Sequence, residues 1–238
     1  MHNRNPFIRN PRARDGANAL MFAMMIWQQI ERLPYKPPVT LALIAFQAFV
    51  YYSGELSPSE LCLNPLRDFS YRQFLSIESS ARTILSPLIH ADSTHLYYNM
   101  ISFLMKGVTL EQRYGSVGFI LVVLLLTFLT QLAYILLCFL LNHKECGVGF
   151  SGVIFALKVL CNFDEEGMQL VYGFSVPLRF AAWAELITIH FLVPRSSFFG
   201  HLAGILAGLV FLGGERAFKA INRRQPTTRN NNYSSRQR

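Results

Sequence analysis

The chain has 238 residues, 52% of them hydrophobic and only 15% charged, with 20 Phe. That is too apolar for an ordinary soluble domain and points to a membrane protein. The net charge of +8 does not read as nucleic-acid binding: the basic residues gather at the two ends, and none form a stretch interleaved with aromatics. Basic cytosolic tails on a polytopic protein explain the pattern better.

The N-terminal stretch is polar, with no early apolar core and cleavage site, so no cleaved signal peptide is expected. Residues 1–37 read as a cytosolic tail containing one apolar helix, "ANALMFAMMIWQQI" at 17–30. That helix is short for a span and suits an interfacial or tilted pre-span segment. A first span is predicted after the "KPP" breaker, roughly 38–53, followed by a long amphipathic connection over 54–89. The second span begins near His95 and ends around Lys106 to Arg113, and "VGFILVVLLLTFLTQLAYILLCFLL" is the third. A fourth starts near Gly149 and stops before the acidic turn "DEE" at 164–166. The fifth covers roughly 174–193, with Pro194 after it, and the sixth about 199–213. The expected fold is all-α, a six-helix membrane domain over 38–213, followed by a disordered basic tail over 214–238.

Six spans put both termini on one side. The tails and the loops on that side hold 17 Lys and Arg against 5 on the other, which makes both termini cytosolic. Four cysteines show no metal-ligand spacing, and no metal is expected. Cys138 and Cys161 lie in or beside apolar runs, as packing thiols do. Cys62 and Cys146 fall in loops on one side; they can pair if that side is oxidising, or remain free.

With the termini inside, spans two, four and six all run from the outside inward, so their starts share one depth. The unusual residues collect at those starts: His90, His95 and Asn99; Gly149 and Ser151; Gly200 and His201. Each has a bland reading. A Ser between glycines lets helices pack, and Gly200, Gly204 and Gly208 at i, i+4 and i+8 form a packing stripe. His95 and Asn99 share one helix face and could simply bond a neighbour. Together they have chemical roles, because polar groups inside a membrane helix are costly. His201 can take the proton that makes Ser151 a nucleophile. The Ser151 N–H, the His95 ring and the Asn99 amide can face an oxyanion. No Asp or Glu occupies the outer half of these helices, so a Ser–His dyad is expected rather than a triad. Phe155, four residues after Ser151, is placed to pack on the His201 ring. The α/β-hydrolase elbow is excluded, since Gly-x-Ser-Gly here opens an apolar helix rather than following a strand.

"HLYYN" at 95–99, "GFSG" at 149–152 and "GHLAGILAG" at 200–208 occur in the order and spacing of the rhomboid intramembrane serine proteases, which the chain resembles over roughly 38–213. The resemblance implies that Ser151 is the nucleophile, His201 the base, and His95, Asn99 and the Ser151 amide the oxyanion hole. It makes His90 the second histidine common before that motif, and Glu111 and Arg113 structural, with no cofactor. "PPVTLAL", "ILSPLIHADSTHLYYNM" and "SFFGHLAGILAGL" resemble one animal subclass that resides in the endoplasmic reticulum. That likeness implies cleavage of single-pass or unstable membrane proteins, coupled to ubiquitin-dependent degradation. Three departures stand out. Ala81-Arg82 replaces a Trp-Arg pair, Val148 replaces a glycine, and the subclass's ubiquitin- and segregase-binding motifs have no counterpart in 214–238. The alternative function is a non-proteolytic client-binding relative, which usually lacks the Ser or the His. A solute transporter is disfavoured, because no pair of similarly broken helices marks an inverted repeat.

Overall fold

The computed structural model describes residues 15–70, 76–193 and 196–224. The expectations for the first 14 residues, for Pro194 and for disorder beyond Arg224 lie outside the described residues.

Helix α1 (Asp15–Glu31) is followed by α2 (Pro38–Ser53). Pro38 suits the first turn of α2, where a missing N–H costs nothing, and Gly54 ends the helix at φ 65°. The open amides at the start of α2 are met by a distant side chain. Val39 N–H and Thr40 N–H each donate to the Glu111 carboxylate at 2.9 Å, and the Thr40 hydroxyl donates at 2.8 Å. Buried Glu111 thus places its charge at the positive end of the helix dipole. Helix α1 turns back along α2: the Tyr52 hydroxyl donates to the Asn18 carbonyl at 3.3 Å, and Phe22 lies 5.8 Å from the Tyr52 ring. It therefore runs back beside α2, its start near the end of α2. An apolar cleft of about 400 Å³ lies between the two, and Phe22 also meets the Tyr97 ring at 6.5 Å.

The connection to α6 holds three short helices, α3 (Pro58–Leu61), α4 (Pro65–Asp68) and α5 (Ile77–Leu85), then a 3₁₀ turn at Ser86–Leu88. Asp68, with a fully buried carboxylate, organises it. Arg67 Nε and Arg82 Nη1 donate to its Oδ1 at 2.7 and 3.0 Å, and the Asn64 N–H donates to Oδ2 at 2.9 Å. Arg82 also donates to the Glu60 carbonyl at 2.9 Å, and Ser79 to the Asp68 carbonyl at 2.7 Å.

Helix α6 (Ser93–Leu140) begins at Asp92, whose carboxylate accepts from the His95 N–H at 2.8 Å. Its 48 residues are two helices joined at Gly115, where φ 69° and ψ 162° break the spiral. A straight helix would hold residues 16 apart about 24 Å from each other, yet the Phe103 and Phe119 rings are 6.2 Å apart. The chain therefore reverses at Gly115, which agrees with the expected end of span two and start of span three. Ser116 closes the turn by donating to Glu111 at 2.7 Å.

Helix α7 (Ser151–Asn162) leads into an antiparallel hairpin, β1 (Met168–Val171) and β2 (Phe174–Pro177). Tyr172 and Gly173 both have positive φ, 46° and 94°, as a two-residue hairpin turn requires. A 3₁₀ turn at Leu178–Phe180 precedes α8 (Ala181–Leu192), and α9 (Phe198–Arg224) ends the described chain. Buried Lys158 on α7 pairs with Glu185 on α8.

The fold is thus predominantly helical rather than purely so. The fifth apolar run is split: β-branched Val176 and Pro177 follow a turn, and helix begins only at Ala181. The sixth helix continues past 213 through Arg224, so residues 214–224 are helix rather than disordered tail. Among the described residues two helices, α6 and α9, are long and apolar enough to cross a membrane, while α2 and α7 are shorter apolar helices.

Asp68→Ala removes the acceptor shared by two arginines and the Asn64 amide. Both guanidinium groups keep carbonyl partners and some solvent contact, so the substitution should cost about 2 kcal/mol of stability. Burial alone would raise the Asp68 pKa. The Arg67 bond, the Asn64 amide and the Arg67 and Arg82 charges outweigh it and hold the carboxyl below its ordinary value. Its contribution is therefore complete above the unfolded value of about 3.9 and lost as pH falls through the lower folded value. Melting of the detergent-solubilised protein against pH should show this loss in the wild type and not in Asp68→Asn.

Candidate active site

Three helices meet at one end of the bundle. Ser151 opens α7, so its backbone N–H is one of the amides without an intrahelical partner, at the positive end of the helix. Its hydroxyl lies 2.9 Å from Nε2 of His201 on α9, the separation a proton transfer needs. Phe155, one turn further along α7, stacks on the His201 ring at 4.5 Å and 24° between planes. Buried Nδ1 of His201 finds no hydrogen-bond partner among the described residues. The pair is a dyad in geometry.

That distance follows from glycine. A Cβ on Gly204 would collide with the Gly152 carbonyl, and one on Gly208 would come within 2.9 Å of the Ala156 carbonyl. A Cβ on Gly152 would meet the Gly200 carbonyl at 2.9 Å. The stripe and α7 therefore touch through their backbones, and a side chain at Gly204 would push His201 away from Ser151.

The third helix faces the segment before Ser151. Gly149 has φ 107°, and a Cβ there would lie 2.6 Å from His95 Cε1 and 3.6 Å from Asn99 Nδ2. His95 and Asn99, one turn apart on α6, thus close against the backbone that leads into Ser151. The buried Asn99 amide nitrogen has no acceptor among the described residues. Buried His90 packs edge-on against His95 with ring centres 5.2 Å apart. His90, His95, Asn99, Gly149, Ser151, Gly200 and His201 are at this end, and Phe155, Gly204 and Gly208 are on the α7–α9 contact below it. Glu111 and Arg113, by contrast, lie at the Gly115 reversal.

Several neighbours were not foreseen. A cavity of about 40 Å³ beside Ser151 is lined by Ser86, Thr130, Gln131, Tyr134 and Ser197, among others. It has room for a water or two, each needing ~10–15 Å³ and polar partners. Gln131 donates to the Thr83 carbonyl at 2.7 Å and lies 2.9 Å from the Ser86 hydroxyl. The Ser86 carbonyl in turn accepts from the Gly149 N–H at 2.9 Å. The signal was present in "LTFLTQLAY", a polar pair in the most apolar run of the chain. Arg113 ties the Gly115 turn to α7 by donating to the Leu160 carbonyl at 3.0 Å.

Among known proteins, the rhomboid domain model matches residues 78–214, more than half of the chain. The chain belongs to the rhomboid family. It is 46% identical over 193 residues to mouse Rhomboid-related protein 4, covering 75% of this chain and 58% of that protein. Arabidopsis Rhomboid-like protein 14, mitochondrial, is 39% identical over 215 residues, covering 84% of this chain and 63% of that protein. Rhomboid-type serine protease 2 of Saccharomyces cerevisiae is 27% identical over 165 residues, covering 64% and 63%. The chain therefore spans about three-fifths of the length of these curated relatives. Rhomboids are integral membrane proteins, and the family includes serine proteases that act on transmembrane substrates within the bilayer.

Proposed function

We propose that this rhomboid is an intramembrane serine endopeptidase that cleaves single-pass or unstable membrane proteins. The observation that carries the proposal is the 2.9 Å contact between Ser151 Oγ and His201 Nε2 at the free N-terminus of α7. His201 Nε2 takes the hydroxyl proton as Oγ attacks the substrate carbonyl carbon, and the carbonyl electron pair moves to oxygen. The Ser151 N–H, the His95 ring and the Asn99 amide face that oxyanion. His201 then gives its proton to the leaving amide nitrogen, the C–N bond breaks, and an acyl group remains on Ser151. Water attacks the acyl carbon with His201 again as base, releasing the acid and restoring the hydroxyl. The cavity beside Ser151 is a place from which that water can come. Purified protein mixed with a labile single-span substrate should release two fragments, and Ser151→Ala or His201→Ala should lower the rate by at least ~10³-fold. Identical fragments from wild type and Ser151→Ala would refute the proposal. Binding of substrate without cleavage would favour a client-binding role.

We also propose that α2, the two halves of α6, α7, α8 and α9 are the six spans of the domain, with the C-terminal end cytosolic. The excess of Lys and Arg on that side supports this orientation. The antiparallel course of α1 beside α2 supports a further crossing, which moves residue 15 to the side of Ser151. The basic asymmetry survives the change, since moving the four Arg before residue 15 leaves 13 against 9. Location in the endoplasmic reticulum, and supply of fragments to degradation there, rest on the subclass resemblance. The Cys62–Cys146 disulfide fits an oxidising compartment on the Ser151 side. In sealed microsomes, Asn18→Cys (with Cys138 and Cys161 replaced by Ser) should resist an impermeant maleimide until detergent is added. Labelling of intact vesicles would return the N-terminus to the cytosol.

A further inference from the structure

We infer that the Cys62–Cys146 disulfide is a positioning device for the nucleophile, so that its reduction slows peptide cleavage without dismantling the fold. The inference rests on the proteolytic reading above. The disulfide joins residues 84 apart in sequence, with Cα atoms 5.3 Å apart. The residue after each cysteine belongs to a paired bridge: Leu63 N–H donates to the Gly147 carbonyl at 3.0 Å, and Gly147 N–H donates to the Leu63 carbonyl at 2.9 Å. Two residues on, the Gly149 N–H donates to the Ser86 carbonyl at 2.9 Å. The backbone from Cys146 to Gly149 is thus stitched to the connection between α2 and α6 at successive points, and Ser151 comes two residues later.

This segment lies between α6 and α7, outside any regular helix. Among the described residues its further support comes from Tyr134, whose hydroxyl donates to the Glu145 carbonyl at 3.3 Å and whose ring lies against Gly147. An isolated two-bond bridge can slip or open, whereas a covalent link sets its register. The parts on either side have their own support. The connection is organised by Asp68, and α7 is locked to α9 by the glycine contacts. Losing the disulfide therefore loosens the Cys146–Phe150 backbone specifically. That backbone aims the Ser151 amide and carries the surface against which His95 and Asn99 close. A shift of about 1 Å there can cost as much as ~10²-fold in rate, because an oxyanion donor works only when aimed in advance. Reduction is a two-electron step. A dithiol reductant breaks the S–S bond, two electrons and two protons go to Cys62 and Cys146 as thiols, and the reductant closes to its own disulfide.

The test uses the full chain in detergent with a single-span substrate, measuring kcat, KM and melting temperature. Denatured, unreduced wild type should expose two maleimide-reactive thiols, Cys138 and Cys161, and four after reduction. Dithiothreitol should lower kcat about tenfold or more with KM within about twofold, and reoxidation should restore it. The Cys62→Ser/Cys146→Ser double variant should match the reduced enzyme and ignore reductant. Four reactive thiols before reduction, an unchanged kcat on reduction of folded wild type, or a loss that follows unfolding would overturn the inference. Oxidised wild type with no Ser151-dependent cleavage would instead overturn the proteolytic reading, whatever the thiol count.

Discussion

The backbone contact between α7 and α9 is the constraint on which the rest of the site depends. With Gly204 against the Gly152 carbonyl and Gly208 against Ala156, the two helices approach as closely as chains without side chains allow. Only at that separation does His201 reach the Ser151 hydroxyl, and only there does Phe155 lie flat on the imidazole. The packing device and the Ser151–His201 geometry are therefore the same object viewed from two sides. The small residues are needed because lipid gives helices no hydrophobic reason to associate, so close van der Waals contact must supply it.

Around that pair, the molecule uses charge sparingly and at helix ends. Glu111 satisfies the first amides of α2 while Ser116 and Thr40 satisfy Glu111, so one buried carboxylate secures both the Gly115 reversal and the start of the bundle. Asp68 does the same for the connection outside the apolar helices, gathering two arginines and an amide. Each cluster positions a different border of the site: Glu111 sets α6, which carries His95 and Asn99, and Asp68 supports the layer to which the Gly149 segment is stitched. The free N-terminus of α7 then presents the Ser151 amide at the positive end of its helix dipole.

Much of the site was legible in the sequence because its residues violate the apolar background. Ser151, His95, Asn99 and His201 stand out as polar groups at the starts of apolar helices, and alternation of direction puts those starts at one depth. The glycine stripe was legible through its spacing of four. What could not be read was anything set by tertiary contact. Gln131 looks like an isolated polar residue until its bonds to Thr83 and Ser86 are known. The second strand of the hairpin at 168–177 fell inside the run read as span five, 174–193, and the Tyr172-Gly173 turn before it was not read as a hairpin signal. The antiparallel course of α1 beside α2 depends on Phe22 and Tyr52, which carry no local signal of a partner. Cys62 and Cys146 were candidates for pairing by location, but only the bridge between Leu63 and Gly147 brings them together.

The central claim is that three helix starts converge on one reacting carbonyl. It is tested most directly by an experimental structure of the protein after reaction with a fluorophosphonate. The account predicts phosphorus bonded to Ser151 Oγ, with the phosphoryl oxygen about 3 Å from the Ser151 N–H and facing the His95 ring and Asn99 amide. Phosphorus on another residue, or a phosphoryl oxygen turned away from those donors, would contradict it.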